Sequence, residues 1–441
     1  MSSRVRFSSQ DGQHLDFLEL RKAFLCFLVA KKTRGQLIFR VDNVMDKRPL
    51  LLNQPITALD NLSWLGLIPD ESPLNPNLNF APYVQNERLD IYQRYAATLL
   101  SLGKAYKKMA AVDNPVFNSE LRPALYFKMS GFSDGFTDLL MGKVPGKRLN
   151  SNDWMIINAS GFPTRDFAAI IDDHLMNITH IVFEEKQLPN ASKYLSLCNA
   201  LNWTIPDFIH LPDVKIGDEN KNSQFVSHLQ EEGYLPEAIC SYLYELDVHE
   251  YEKGNFETIS EIINDFEIKK ILANKKVFSL ETLRKINGAL IKKTSDIAYA
   301  TFIRPFVSPF INETYSDEYL LKLAVLYQTQ ISYGSELKEY LVPFLLEKPS
   351  FSPIELQIIN SPTSKLAIET LKTKLQAVDA SIDDIKNIIV NTQLLSGVSG
   401  KAFYLPLRLL LTRSTQGAEI DEIIKFLGKE EVLRRLSQDK D

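Results

Sequence analysis

Cysteine is scarce in this chain of 441 residues: Cys26, Cys198 and Cys240 lie far apart, and none falls in a CxxC or CxH spacing. That excludes a disulfide framework and leaves a zinc site without support. Each cysteine sits in an apolar helical context, as buried reduced thiols do. Long apolar runs are missing as well: the longest, Ala23 to Ala30, is far short of the ~20 residues of a membrane-spanning helix. No basic-then-apolar leader with a small-residue cleavage site is present, which points to the cytoplasm and away from a membrane. Positive charge is not in excess. A formal net charge of -5 and a pI near 5.8 argue against strong unspecific nucleic-acid binding, and so against DNA, while leaving room for a local basic groove. What is there is the composition of an ordinary soluble chain, 45% hydrophobic and 24% charged. At this length a single core does not suffice, so two large bodies divided into modules are expected.

Taken in order, residues 4 to 8 read as a strand, about Leu15 to Lys32 as an amphipathic helix ended by Gly35, and Gln36 to Val41 as a second strand. This β-α-β start is nucleotide-fold material. Helices follow over Ile56 to Leu65, stopped by Gly66, and over Glu87 to Leu102, stopped by Gly103. Between 110 and 150, Phe117, Tyr126, Phe127 and Phe132 alternate with Gly, Ser and Pro, which predicts a small inserted β-rich module. A strand over Asp153 to Asn158 is then read as resuming the first fold. The stretch Phe162 to Asn190 predicts helix, turn and strand: Phe167, Ile170, Ile171, His174 and Leu175 recur at helical spacing, and His180 to Phe183 is an apolar run of strand type. A helix is predicted over Glu231 to Asp247 with Pro236 in its first turn. From there the chain is almost wholly helical, and the tail from Lys269 reads as a helical body.

Seven blocks in this order, VRF at 5 to 7, LIFRVD at 37 to 42, NERLDIYQRYA at 86 to 96, SGFPTRDFAAIIDDHLMNITHIVFEE at 160 to 185, EEGYLPEA at 231 to 238, GKAFYLPLRLLLT at 400 to 412 and FLGKEEVLRRL at 426 to 436, together resemble the bacterial-type glutamyl-tRNA synthetases, class I ligases, over nearly the whole chain. The resemblance implies an α/β nucleotide-binding fold of Rossmann type followed by an all-α body. Its implied modules are a Rossmann-like first half at 1–80, a shortened inserted acceptor-binding-like module at 81–150, a Rossmann-like second half at 151–212, a stem-contact-like region at 213–295, and two helical anticodon-binding-like subdomains at 296–375 and 376–441. It also implies a reaction in which glutamate and ATP form an adenylate that is passed to tRNA.

That chemistry requires particular residues. The family signature HIGH opens the first helix, where glycine allows close approach of the nucleotide and the helix N-terminus meets phosphate. Gapless counting between the first two blocks places Asp16, Phe17, Leu18 and Glu19 there. Two carboxylates then face the phosphates, and one like-charge contact near ~4 Å costs about 4 kcal/mol at an effective dielectric of about 20. The second signature, KMSKR, neutralises separating phosphates with lysines; here the loop reads Lys215, Ile216, Gly217, Asp218, Glu219, and the sign is reversed. In the implied glutamate pocket Arg165 replaces a tyrosine, Asp166 a histidine, Ala169 an asparagine and Phe183 an arginine. Arg6 is kept, and Asp42 is a shortened stand-in for glutamate.

Other features have plainer readings. Asp172, Asp173 and His174 diverge by about 100° along a helix and do not converge on one ion, so a structural role is favoured. Arg165 with Asp166 fits either a new polar site or an ion pair. Lys104, Lys107 and Lys108 follow a helix end, where cations suit the dipole; that reading is favoured over contact with a tRNA backbone. Lys143, Lys147 and Arg148, in a Gly/Pro loop, are the candidate tRNA contacts. The run Lys429 to Arg435 reads as a solvated helix face. The expectation is a synthetase-like protein that binds tRNA, by family tRNA-Glu, or a protein partner, without catalysis, without a metal and without a cofactor. ATP and Mg enter only under the alternative, an active glutamate-tRNA ligase or a nucleotide-dependent transferase with a changed substrate.

Overall fold

The computed structural model of the chain describes residues 2–13, 15–44, 56–112, 121–129, 135–149, 152–216, 225–248, 258–273, 276–346, 351–377 and 384–437. The chain divides into two units, one made of Met1–Leu229 and Pro236–Leu283, the other of Gln230–Leu235 and Arg284–Asp441.

The first unit opens with β1 (Arg4–Ser9), α1 (Phe17–Lys32) and β2 (Gln36–Val41), then α2 (Thr57–Trp64) and α3 (Leu89–Ser101). The inserted strands are β3 (Ala105–Ala111), β4 (Leu121–Phe127), β5 (Phe136–Asp138), β6 (Gly142–Val144) and β7 (Trp154–Ile157). After them come α4 (Arg165–Leu175), β8 (His180–Glu184), α5 (Ala191–Ala200), β9 (Asp207–Leu211) and β10 (Val214–Lys215). Next are α6 (Val226–Glu232), α7 (Pro236–Asp247), α8 (Ile259–Asp265) and β11 (Lys276–Val277).

The main sheet is parallel throughout, in the order β2-β1-β8-β9. The chain leaves β1 for β2 on one side and returns to build β8 and β9 on the other. The order therefore reverses between β1 and β8, and a crevice at their carboxyl ends is the expected ligand position. Being central, β1 is buried almost along its whole length although its sequence RVRFSS alternates polar and apolar residues. Such alternation ordinarily marks a strand with one wet face. Here the polar face is buried against carboxylates: Arg4 pairs through two nitrogens with Glu71 at 2.8 and 2.7 Å, and Arg6 pairs with Asp173. Helix α1 is buried nearly all round, and its one buried cation, Arg21, pairs with Asp247 of α7 at 2.7 Å.

Among these elements two expectations are corrected. The strand over Asp153 to Asn158 is β7, and it does not rejoin the parallel sheet; it pairs antiparallel with β4 to complete a three-stranded β3-β4-β7 sheet of the inserted module. That module is nevertheless no separate body, because Trp154 packs between Phe127 and Phe167 of α4 in a core shared with the main fold. The helix predicted over Glu231 to Asp247 is two helices: α6 ends at Glu232, Gly233 takes a positive φ of 82°, and α7 starts at Pro236. Glycine takes that backbone without strain, and proline suits the first turn that follows.

The second unit is helical. It takes the remainder of α9 (Leu280–Lys293) and contains α10 (Asp296–Val307), α11 (Asp317–Leu326), α12 (Leu337–Leu345), α13 (Pro353–Ile359), α14 (Pro362–Ala377), α15 (Ile385–Ser396), α16 (Lys401–Thr412) and α17 (Ile420–Ser437). Tyr299, Leu323, Leu341, Leu371, Phe403 and Ile423 are among the fully buried residues of its continuous core. The run Lys429 to Arg435 is not simply a solvated face. Arg435 is buried, donates to Glu431 and to the Leu411 carbonyl, and lies over the Phe344 ring at 4.4 Å.

Candidate functional site

A cleft of about 490 Å³ opens at the carboxyl ends of β1 and β8. It is lined by Arg6 and Ser8 from β1, Asp42 just after β2, the first turns of α1 and α4, and Phe183 and Glu184 at the end of β8. The residues that the resemblance singled out on these five segments, Phe17 excepted, therefore converge on one space. Its volume is that of a small-molecule site.

The start of α1 is closed by its own side chains. Asp16 is the N-cap: its carboxylate accepts from the Glu19 N–H at 2.8 Å, and the Glu19 carboxylate accepts from the Asp16 N–H at 3.3 Å. This reciprocal pair satisfies two of the donors that a helix N-terminus otherwise offers to an anion. Burial, with the neighbouring charge of Asp16, pushes the Glu19 carboxyl above its usual range. Leu18 faces the cleft, and Phe17 turns inward onto Phe278 and Tyr242, with ring centroids 4.3 and 5.9 Å away.

Arg6 and Asp42 are both engaged from behind. Arg6 donates to Asp173 at 3.0 Å from Nε and 3.2 Å from Nη2. Asp42 accepts from Nε of the fully buried Arg40 at 2.6 Å, while Nη1 of Arg40 donates to Asp173 at 2.9 Å. Asp172, one residue earlier on α4, accepts from Arg88 at 2.7 Å, Tyr92 at 2.7 Å and Gln85 at 3.0 Å. Burial opposes the charge of Asp173, yet Arg6 and Arg40 outweigh it and hold its carboxyl below the usual range. The network balances three guanidinium groups against three carboxylates. His174 takes no part; it stacks on Trp203 at 3.8 Å, and burial lowers its pKa. Arg40 is a participant that the motifs do not mark; its signal in the sequence is a cation inside a strand otherwise suited to burial on both faces.

Phe183 belongs to an aromatic wall, 5.6 Å from Tyr194 and 5.4 Å from His210 by ring centroids. Beneath it the buried His210 Nδ1 lies 2.7 Å from Asp138 of the inserted module. On α4, Asp166 pairs with Lys193 of α5, whereas Arg165 is exposed at the cleft and makes no hydrogen bond or ion pair among the described residues. The open choice for Arg165 and Asp166 thus separates: the aspartate is in an ion pair, but with Lys193. Lys22, one turn into α1, also lines the cleft and was not singled out from the sequence.

Of the second signature, Lys215 is exposed on β10, which pairs with β11, and Ile216 follows it; Gly217, Asp218 and Glu219 lie outside the described residues. Lys143 on β6 and Lys147 and Arg148 in the turn after it are exposed, and Arg148 is 3.7 Å from Glu185. Lys107 and Lys108 are exposed on β3 rather than at a helix end. Lys108 lies over Tyr126, and Tyr126 stacks with Tyr106 across the β3-β4 pair. The three cysteines are free and buried, and burial pushes the thiols of Cys26 and Cys198 up to about 11 and about 12. Among the described residues no group of three or more His, Cys, Asp or Glu is placed to hold a metal ion. No described helix is long and apolar enough to cross a membrane.

Residues 4–114 and 119–285 match the model of the class I (E and Q) tRNA synthetase catalytic domain, and residues 298–439 match an anticodon binding domain. A glutamate–tRNA ligase of Geobacillus thermodenitrificans is 28% identical over 480 aligned positions, covering 99% of this chain and 98% of that protein. One of Fervidobacterium nodosum is 29% identical, with 98% of each chain covered. The fold is shared with a crystal structure of the glutamate tRNA ligase from Elizabethkingia meningosepticum, at a TM-score of 0.82 and 24% identity over 99% of this chain and 98% of that one. With a parallel sheet whose strand order reverses at the cleft, an inserted module and a helical unit, and with models matched over both parts, the chain belongs to the class I (E and Q) tRNA synthetase family.

Proposed function

We propose that this chain is a glutamyl-tRNA synthetase-like protein that does not activate glutamate and acts as a non-catalytic tRNA-binding module. The observation that carries this reading is the closed start of α1: Asp16 and Glu19 cap the helix with two carboxylates at the place where a nucleotide's phosphates would need free N–H groups. The residues present do not fit a triphosphate there. Support comes also from Phe183 in an aromatic wall, where a guanidinium would be needed to pair a substrate carboxylate, and from Asp42 and Arg6, held by Arg40 and Asp173. The match to an anticodon binding domain over 298–439 and the exposed Lys143 and Lys147 favour tRNA as the partner over a protein.

The test is glutamate-dependent exchange of pyrophosphate into ATP, with and without tRNA. No exchange above a no-enzyme control is expected, together with retained tRNA binding. Robust exchange would show an active glutamate–tRNA ligase, the activity named for the relatives of Geobacillus and Fervidobacterium.

A further inference from the structure

The cleft is rich in charge, and most of that charge is already answered. Arg6 is paired with Asp173, Lys193 with Asp166, Lys186 with Glu184, and Asp42 with Arg40. Asp16 and Glu19 are committed to the cap. Two cations remain, on different elements and lining the same space: Lys22 on α1 and Arg165 on α4, neither with a hydrogen bond or an ion pair among the described residues. Arg165 is exposed, and Lys22 is half-buried.

From this we infer that the cleft binds a small molecule through an oxyanion, carboxylate or phosphate, seated between the Lys22 ammonium and the Arg165 guanidinium. The inference deepens the reading given above, since it names a ligand for a cleft that does not carry out the family reaction. A partly desolvated ammonium with no partner is unfavourable, and an incoming oxyanion removes that cost. The planar guanidinium adds two parallel donors from the rim, a geometry that suits carboxylate and phosphate alike. Burial and the nearby charge of Arg6 pull the Lys22 pKa down, while Asp42 and Glu184 act on it in the opposite sense without contacting it. The volume of about 490 Å³ suits a metabolite. The caps at Asp16 and Glu19 turn a bulky polyphosphate away from the neighbouring helix start, so a single oxyanionic group is the match.

The experiment is calorimetric titration of the full chain at low ionic strength with inorganic phosphate and, separately, with succinate. Saturable binding of at least one is expected, and the arm that binds names the class. Lys22→Met and Arg165→Gln should each weaken it by about tenfold or more, the loss of one charge-assisted contact. Arg165 is exposed, so its variant keeps the fold; thermal melting checks the same for Lys22→Met. Absence of saturable binding in both arms, or binding that neither substitution moves, overturns the inference. A positive pyrophosphate exchange would instead end the non-catalytic reading, and so the two failures are distinguishable.

Discussion

Asp172 and Asp173 are consecutive on α4 and buried, yet they serve different guanidinium groups. Asp172 answers Arg88, Asp173 answers Arg6, and Arg40 lies between them, 3.8 Å from one and 2.9 Å from the other. Turning successive residues by about 100° prevents all three of Asp172, Asp173 and His174 from facing one ion, but it does not prevent two of them from flanking a shared arginine. Burying such groups is costly, and removing one partner leaves an uncompensated charge. Asp172→Ala is therefore expected to lower the stability of the first unit by about 3–5 kcal/mol, measured by urea unfolding followed through tryptophan fluorescence. A change below about 1 kcal/mol would mean that Arg88 finds water or another partner.

At the scale of elements, α17 breaks at Gly428, where φ is 75°, and the segment after the break is tied down by Glu431. Hydrogen bonds from Arg434 and Arg435 hold the Glu431 carboxyl down at about 2. A depressed carboxylate contributes stability that is present above its ordinary value of 4.5 and is lost as pH falls from there towards about 2. The helical unit should lose stability across that window in acid unfolding followed by circular dichroism, and Glu431→Gln should flatten this part of the profile. Helix and strand periods were legible in the chain itself: β2 lies over Gln36–Val41 as predicted, and α1 differs only because Asp16 caps it. What was not legible was pairing across distance. The apolar run of β7 does not say which sheet it joins, and the alternation in β1 does not reveal that Arg4 and Arg6 meet buried carboxylates. Within the cleft, Arg6, Asp16, Glu19, Asp42, Arg165 and Phe183 were locatable through ordered motifs. Lys22 was not, because it is embedded among the apolar residues of α1 and only the fold turns it to the cleft.

For the whole molecule, a net charge of -5 coexists with exposed lysines on the inserted module, so any RNA affinity must be local. Binding of tRNA should weaken linearly as log salt rises, through counterion release, and Lys143→Glu or Lys147→Glu should each reduce the slope by about 1 in filter-binding assays across a salt series. A flat response would favour a protein partner. The closed start of α1 also bears on the history of the chain. On the reading proposed above, the two carboxylates that would deter phosphate are the same ones that cap the helix, so a substitution at Asp16 meant to reopen the site forfeits a cap worth about 1 kcal/mol before it gains any chemistry. If the chain is non-catalytic, as proposed, such a helix start would work as a ratchet: drift away from the family motif would be locally rewarded, and the path back would run uphill at its first step.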